Sequence, residues 1–127
     1  MTKFTTANVK PRRRKQPERK FKGALVDWLR IALPEGSIVT TIPGGAGGPT
    51  FEPGYLAGFP DVLALVPQQR PFLIECKHGK NTVSDAQADV HAKLIWVGVN
   101  VTTAWDFESV EKWLRSHGVR LRARVAA

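Results

Sequence analysis

The 127-residue sequence predicts an α/β domain in which a mixed sheet is flanked by helices. Three observations predict it. Apolar periodicity reads helix, three strands, helix, strand, helix, the mixture expected of a layered α/β sandwich. One of those strands, VLALV at 62–66, is apolar at every position, as in a central strand covered on both faces. A chain of this length with 43% hydrophobic residues and four tryptophans fills one core and is too short for two.

The elements follow in order. Residues 1–16 read as a disordered basic arm: mixed polar residues, Pro11 and the run RRRK. A helix is expected from Pro17, a favoured first-turn residue, with Phe21, Leu25, Trp28, Leu29 and Ala32 on its apolar face and Pro34 and Gly36 at its end. SIVTTI, 37–42, is a β-branched strand. The Gly/Pro-rich connection PGGAGGPTFEPGYLAGFP follows; it has no Gly-Lys-Ser/Thr and so no phosphate-binding P-loop. Strands at Val62–Val66 and Phe72–Lys77 flank a turn at Pro67–Arg70. Ser84 opens a helix with Val90, Leu94 and Val97 on one face, ended by Gly98, and Val99–Trp105 is a further strand. Asp106 caps a last helix bearing Phe107, Val110, Trp113 and Leu114, closed by Gly118. The tail RLRARVAA reads as a short edge strand or as disordered, and the four tryptophans read as core packing.

Composition narrows the function. No apolar run approaches the roughly 18–20 residues that span a bilayer. The opening residues lack the apolar stretch of a signal peptide. The single cysteine, Cys76, excludes an internal disulfide and a multi-cysteine zinc site. A reducing, intracellular compartment is expected. The formal charge of +8 is unevenly spread: nine of the 19 basic residues and one acid, Glu18, fall in residues 1–22, and ten of each sign fall after it. An arm of that charge suits a polyanion through counterion release, or serves as a solubilising tail.

The stretch GFPDVLALVPQQRPFLIECKHG, 58–79, carries charge on its most apolar segments. Alternation puts Glu75 and Lys77 on one face of their strand and Ile74 and Cys76 on the other. A short connection makes the two strands antiparallel neighbours, which brings Asp61 toward Glu75 and Lys77. Two carboxylates sharing a divalent cation are compensated where one alone is costly, and Mg²⁺ or Mn²⁺ prefers such oxygen ligands. The plainer reading of the same residues is a salt bridge of Lys77 with Glu75 or Asp61 at a strand end.

G-F-P-D, thirteen residues, then E-C-K resembles the P-D…(D/E)-x-K signature of the PD-(D/E)XK nucleases, and more narrowly their small VRR-NUC domains of phages and bacteria. The Glu in PERKFKGALVDWL, the Gly-rich segment before the Pro-Asp and SDAQ after the E-x-K fit that family too, and the likeness covers about residues 17–105 of a domain spanning 17–127. The resemblance implies a restriction-endonuclease-like αβββαβ core with an added C-terminal helix. It implies a Mg²⁺-dependent DNA endonuclease, with Mn²⁺ as a substitute ion. Asp61, Glu75 and the main-chain carbonyl of Cys76 would ligate the metal, Glu18 would be a third carboxylate, and Lys77 would position water and stabilise charge on the phosphate.

Gln87 lies near the active site in that family, while Ser84-x-x-Gln87 is also a capping box. Glu18 is likewise an ordinary first-turn acid for a helix beginning at Pro17. Arg12, Arg13, Arg14 and Lys15 of the arm, with Lys80 after the E-x-K strand, are the candidate DNA contacts, although the plainer reading of Lys80 is a solvated lysine. His78 is read as structural, and His91 and His117 have no spacing that suggests a metal site. The resemblance implies a homodimer on branched DNA, as with Holliday-junction resolvases, in repair or replication, acting alone or beside a helicase, in a bacterial or phage-infected cytoplasm. The competing expectations are a non-catalytic DNA-binding module that keeps the nuclease fold, and a basic structural protein of ribosomal or chromatin type.

Overall fold

The computed structural model describes the backbone of residues 2–43 and 53–126, and the side chains of 17–43 and 53–126. Its elements are α1 (Thr2–Ala32), β1 (Ile38–Thr41), β2 (Val62–Leu65), β3 (Phe72–Cys76), α2 (Asp85–Trp96), β4 (Asn100–Ala104) and α3 (Phe107–Ser116). The strands form one mixed sheet in the order β1-β2-β3-β4. The first two pairings are antiparallel, with Thr41 opposite Val62 and Val62 opposite Ile74. β3 and β4 are parallel, with Cys76 opposite Ala104, and α2 supplies the crossover that a parallel pair needs.

α1 and α3 cover one face of the sheet. Leu25 and Leu29 of α1, Leu33 just after it, and Val110 and Leu114 of α3 pack against Val39, Val62, Ala64, Phe72, Ile74, Cys76 and Ala104. The helix stripe expected from the sequence is the one that packs: Leu25, Leu29 and Ala32 are fully buried, and Phe21 and Trp28 lie against the core beside Phe107. Trp113 and His117 meet the Phe72 ring edge-on, which accounts for His117 as a packing residue. The caps are also as expected: Ser84 opens α2 with a complete capping box and Asp106 opens α3. Gly98 and Gly118 follow their helices with positive φ.

Several expectations are corrected. α1 does not begin at Pro17; helical backbone runs back to Thr2 through the stretch read as a disordered arm, a stretch rich in the strong helix formers Lys, Arg and Gln. The side chains of that stretch lie outside the described residues. β2 is not covered on both faces: Val62 and Ala64 are buried, whereas Leu65 is 38% exposed opposite Ile38 at 60%. α2 packs over the β4 side of the sheet, Ile38 and Leu65 of β1 and β2 stay exposed, and β3 is buried along its whole length. On α2 only Val90 is buried, and Val97 is exposed. Trp28 and Trp113 pack as expected, but Trp96 (89% exposed) and Trp105 (44%) do not. The tail is neither edge strand nor free. Val119 is buried, Arg122 bonds through its amide to Ala32 O and through Nε to Leu33 O (2.7 Å), and Val125 N donates to Glu111. Those contacts take up carbonyls left open at the end of α1. Much of the Gly-rich connection, 44–52, lies outside the described residues. No helix among them is long and apolar enough to cross a membrane.

Leu29→Ala should cost about 2–5 kcal/mol, because it opens a cavity where α1 meets the sheet. Trp96→Ala should stay within about 0.5 kcal/mol of wild type. Urea unfolding of the two variants checks both, and equal losses would contradict this assignment of the core.

Candidate functional site

Asp61 stands immediately before β2 and is held by the sheet on both sides. Its amide donates to Ile74 O (3.1 Å) and its carbonyl accepts from Ile42 N (2.7 Å). The ladder from β2 reaches β3 only as far as Ile74, so the amide of Cys76 lacks a strand partner on that edge. The Asp61 side chain fills the gap, with Oδ2 accepting from Cys76 N at 3.0 Å. A carboxylate is thereby fixed at the end of the β2–β3 pair.

Glu75 and Lys77 share a face, as alternation requires. Glu75 is only 3% exposed and Lys77 is buried too. Lys77 Nζ lies 3.9 Å from Glu75 Oε2 and donates to Gln87 Oε1 at 2.8 Å. The same Gln87 oxygen accepts from Ser84 N (3.0 Å), and Gln87 N donates to Ser84 Oγ (3.2 Å). Gln87 therefore closes the capping box of α2 and also accepts a hydrogen bond from Lys77. Gly58 sets the loop against that same turn. Its φ is +92°, and a Cβ there would meet Ala86 O at 2.6 Å.

The electrostatics follow from crowding two acids in a dry place. Burial, the neighbouring charge of Asp61 and a hydrogen bond to it push Glu75 up to about 8, against the opposing pull of Lys77. Glu75 Oε1 is buried with no hydrogen-bond partner. Burial, with Asp61 and Glu75 nearby, pushes the Cys76 thiol up to about 12, so it stays a protonated core residue.

Glu18, on α1, reaches the neighbourhood without joining the pair. Its Oε2 accepts from Asn81 Nδ2 at 3.4 Å, and its charge helps to raise Glu75. Among the described residues, no three His, Cys, Asp or Glu side chains converge to hold a metal ion. Asp61 and Glu75 are thus a carboxylate pair, with Glu18 beyond it. His78 and Lys80 are exposed on the loop after β3, and the side chains of Arg12, Arg13, Arg14 and Lys15 lie outside the described residues.

Three residues near the site escaped the sequence reading. His91 lies one turn after Gln87 on α2; burial and then Lys77 lower its pKa, and its Nε2 is buried without a partner. Its i, i+4 spacing from Gln87 was the available signal. Tyr55 is raised by burial and by Asp61 and Glu75, and its hydroxyl donates to Phe59 O (3.3 Å). Asn81 links Glu18 to Trp105, whose Nε1 donates to Asn81 O at 2.9 Å. Nothing in the sequence distinguishes Tyr55 or Asn81 from other loop residues.

With this geometry in hand, comparison with known proteins found no match to a family model, to a curated protein or to a solved structure.

The raised pKa of Glu75 has a consequence for stability. Between the ordinary carboxylate range and about 8, the folded chain holds a proton that the unfolded chain has lost. Stability contributed by Glu75 is therefore full below that window and declines as pH rises through it. His91, lowered on folding, contributes the opposite slope near its ordinary pKa. Glu75→Gln removes only the first contribution. Denaturation from pH 5 to 8 should show the variant gaining on wild type as pH rises, and parallel curves would contradict a protonated Glu75.

Proposed function

We propose that the chain is a Mg²⁺-dependent nuclease that hydrolyses phosphodiester bonds in DNA, of the PD-(D/E)XK type and similar within it to the VRR-NUC domains. The observation that carries this reading is the Asp61–Glu75 pair with Lys77 beside it at the end of β2 and β3, where Glu75 Oε1 is buried and unpaired. An orphaned carboxylate oxygen next to a second carboxylate is an expensive arrangement by itself and a fitting one for a cation. The order helix, three strands, helix, strand supports a restriction-endonuclease-like core.

Asp61 and Glu75 would hold the ion. In extended backbone the N–H and C=O of a residue face the same neighbouring strand. Cys76 directs its N–H at Asp61, so its carbonyl lies on that edge as a further oxygen ligand. Bound there, Mg²⁺ supplies polarisation of a phosphoryl oxygen and a water of lowered pKa. Glu75 must release its proton to take part, so metal affinity rises with pH toward 8. Lys77 is aimed by Gln87 and offers its remaining N–H donors to the phosphate. Asn81 holds Glu18 close by, where its negative charge favours a cation without direct ligation. The excess positive charge of residues 1–22 suits the flanking phosphates. Selectivity for branched DNA and action as a homodimer belong to the same proposal through the VRR-NUC likeness.

The absence of a third convergent donor among the described residues favours a second reading, a DNA-binding module that keeps the fold without catalysis. Incubation with linear duplex, single strand, 5′ flap and four-way junction in Mg²⁺ or Mn²⁺ separates the two. The nuclease reading expects metal-dependent cutting, reduced at least about 100-fold in both Asp61→Ala and Lys77→Ala. It also expects Mn²⁺ to raise the melting temperature of wild type and not of Asp61→Ala. Binding of these DNAs without cleavage in either metal would move the conclusion to the binding module.

A further inference from the structure

We infer that Trp105 is a stacking platform for an unpaired nucleobase next to the scissile phosphate, so that the preferred substrate carries single-stranded nucleotides at the cut. The inference rests on the nuclease reading and specifies its substrate class.

Trp105 follows β4 directly. The residue before it, Ala104, accepts through its carbonyl from the amide of Lys77 at 2.9 Å, so the indole starts from a backbone position bonded to that of the lysine. The residue is 44% exposed, although the fold has a core against which Trp28 and Trp113 pack. It is nevertheless held: Nε1 donates to Asn81 O at 2.9 Å, and Asn81 in turn binds Glu18. The polar edge of the indole is spent on the protein while much of its surface faces water. A large aromatic surface fixed in that way is organised before any ligand arrives, and every nucleobase has a π-face that can cover it. Lys80, exposed on the loop that supplies Asn81, offers charge for the adjoining phosphate. Trp96 is more exposed but has no comparable place. It ends α2 nine residues after Gln87, about 13 Å along the helix from the site.

A base within an intact duplex is already stacked on both faces, so the platform selects nucleotides freed by a flap, a gap or a branch point. Stacking on one aromatic residue corresponds to about 5- to 150-fold in affinity. The test uses the full chain on a 5′ flap, a single strand and a linear duplex, with single abasic residues placed in turn around the mapped cut. Trp105→Ala should raise KM by that factor on flap and single strand with kcat little changed, and Trp105→Phe should stay within a few-fold of wild type. One abasic position should weaken wild type to the same extent and add nothing to Trp105→Ala. Unchanged KM in Trp105→Ala, with wild type cutting, would overturn the stacking role and leave the nuclease standing. So would Trp105→Phe as impaired as Trp105→Ala with no abasic position mattering, because the indole would then serve only to anchor Asn81. A wild type that cuts none of the three DNAs and no four-way junction, in either Mg²⁺ or Mn²⁺, removes both readings together.

Discussion

The hydrogen bond from the Cys76 amide to Asp61 Oδ2 is the interaction on which the candidate site depends. It exists because β2 ends its pairing one step too early. The edge of β3 continues past Ile74, and a buried amide there must find a partner. Asp61 provides one without leaving the sheet, since its own backbone is bonded to Ile74 on one side and Ile42 on the other. The price is a carboxylate set next to Glu75, in a strand that is buried along both faces. Burial first, and that juxtaposition second, raise the pKa of Glu75 and of the Cys76 thiol, and Glu75 Oε1 is left without a partner beside it.

Such a cluster is a poor way to stabilise a fold. An unsatisfied buried acceptor costs about 1–3 kcal/mol, and repulsion between two acids adds to it. Lys77 offsets part of this at 3.9 Å, a distance too long for a tight ion pair, while its best hydrogen bond goes to Gln87. The apolar face opposite carries the compensation, with α1 and α3 packed on Phe72, Ile74 and Cys76. One strand therefore serves two ends at once. Its even-numbered residues, Phe72, Ile74 and Cys76, close the core, and odd-numbered Glu75, with Lys77 just beyond the strand, holds charge on the other face.

The parts of this arrangement that local rules govern were legible in the sequence. Alternation put Glu75 with Lys77 and Cys76 with the core, the short turn made Asp61 their neighbour, and Ser84 and Asp106 announced their helices. What the sequence did not reveal depends on which surfaces happen to be covered. VLALV is uniformly apolar, yet Leu65 stays exposed because α2 lies to the other side of the sheet. Trp96 and Trp105 look like core residues by type, and only tertiary placement leaves them outside. The start of α1 was misjudged because Pro17 resembles a first-turn residue, whereas helical backbone precedes it. Asn81 approaches the site through a fold of the chain that no pairwise spacing encodes.

Gln87 shows how one side chain can cap a helix and hold a lysine at once. An amide oxygen has two lone pairs, and here one accepts the Ser84 amide and the other accepts Lys77. The first bond defines where α2 begins; the second defines where the lysine points. The same turn is pressed by Gly58, whose missing side chain allows the loop before Asp61 to approach Ala86. Loop, helix start and lysine are therefore one mechanical unit. A displacement of the loop by a ligand would be felt at the α2 cap and, through one shared oxygen, at the ammonium group beside Glu75. The helix cap is thus the physical link between the approach to the site and its charge.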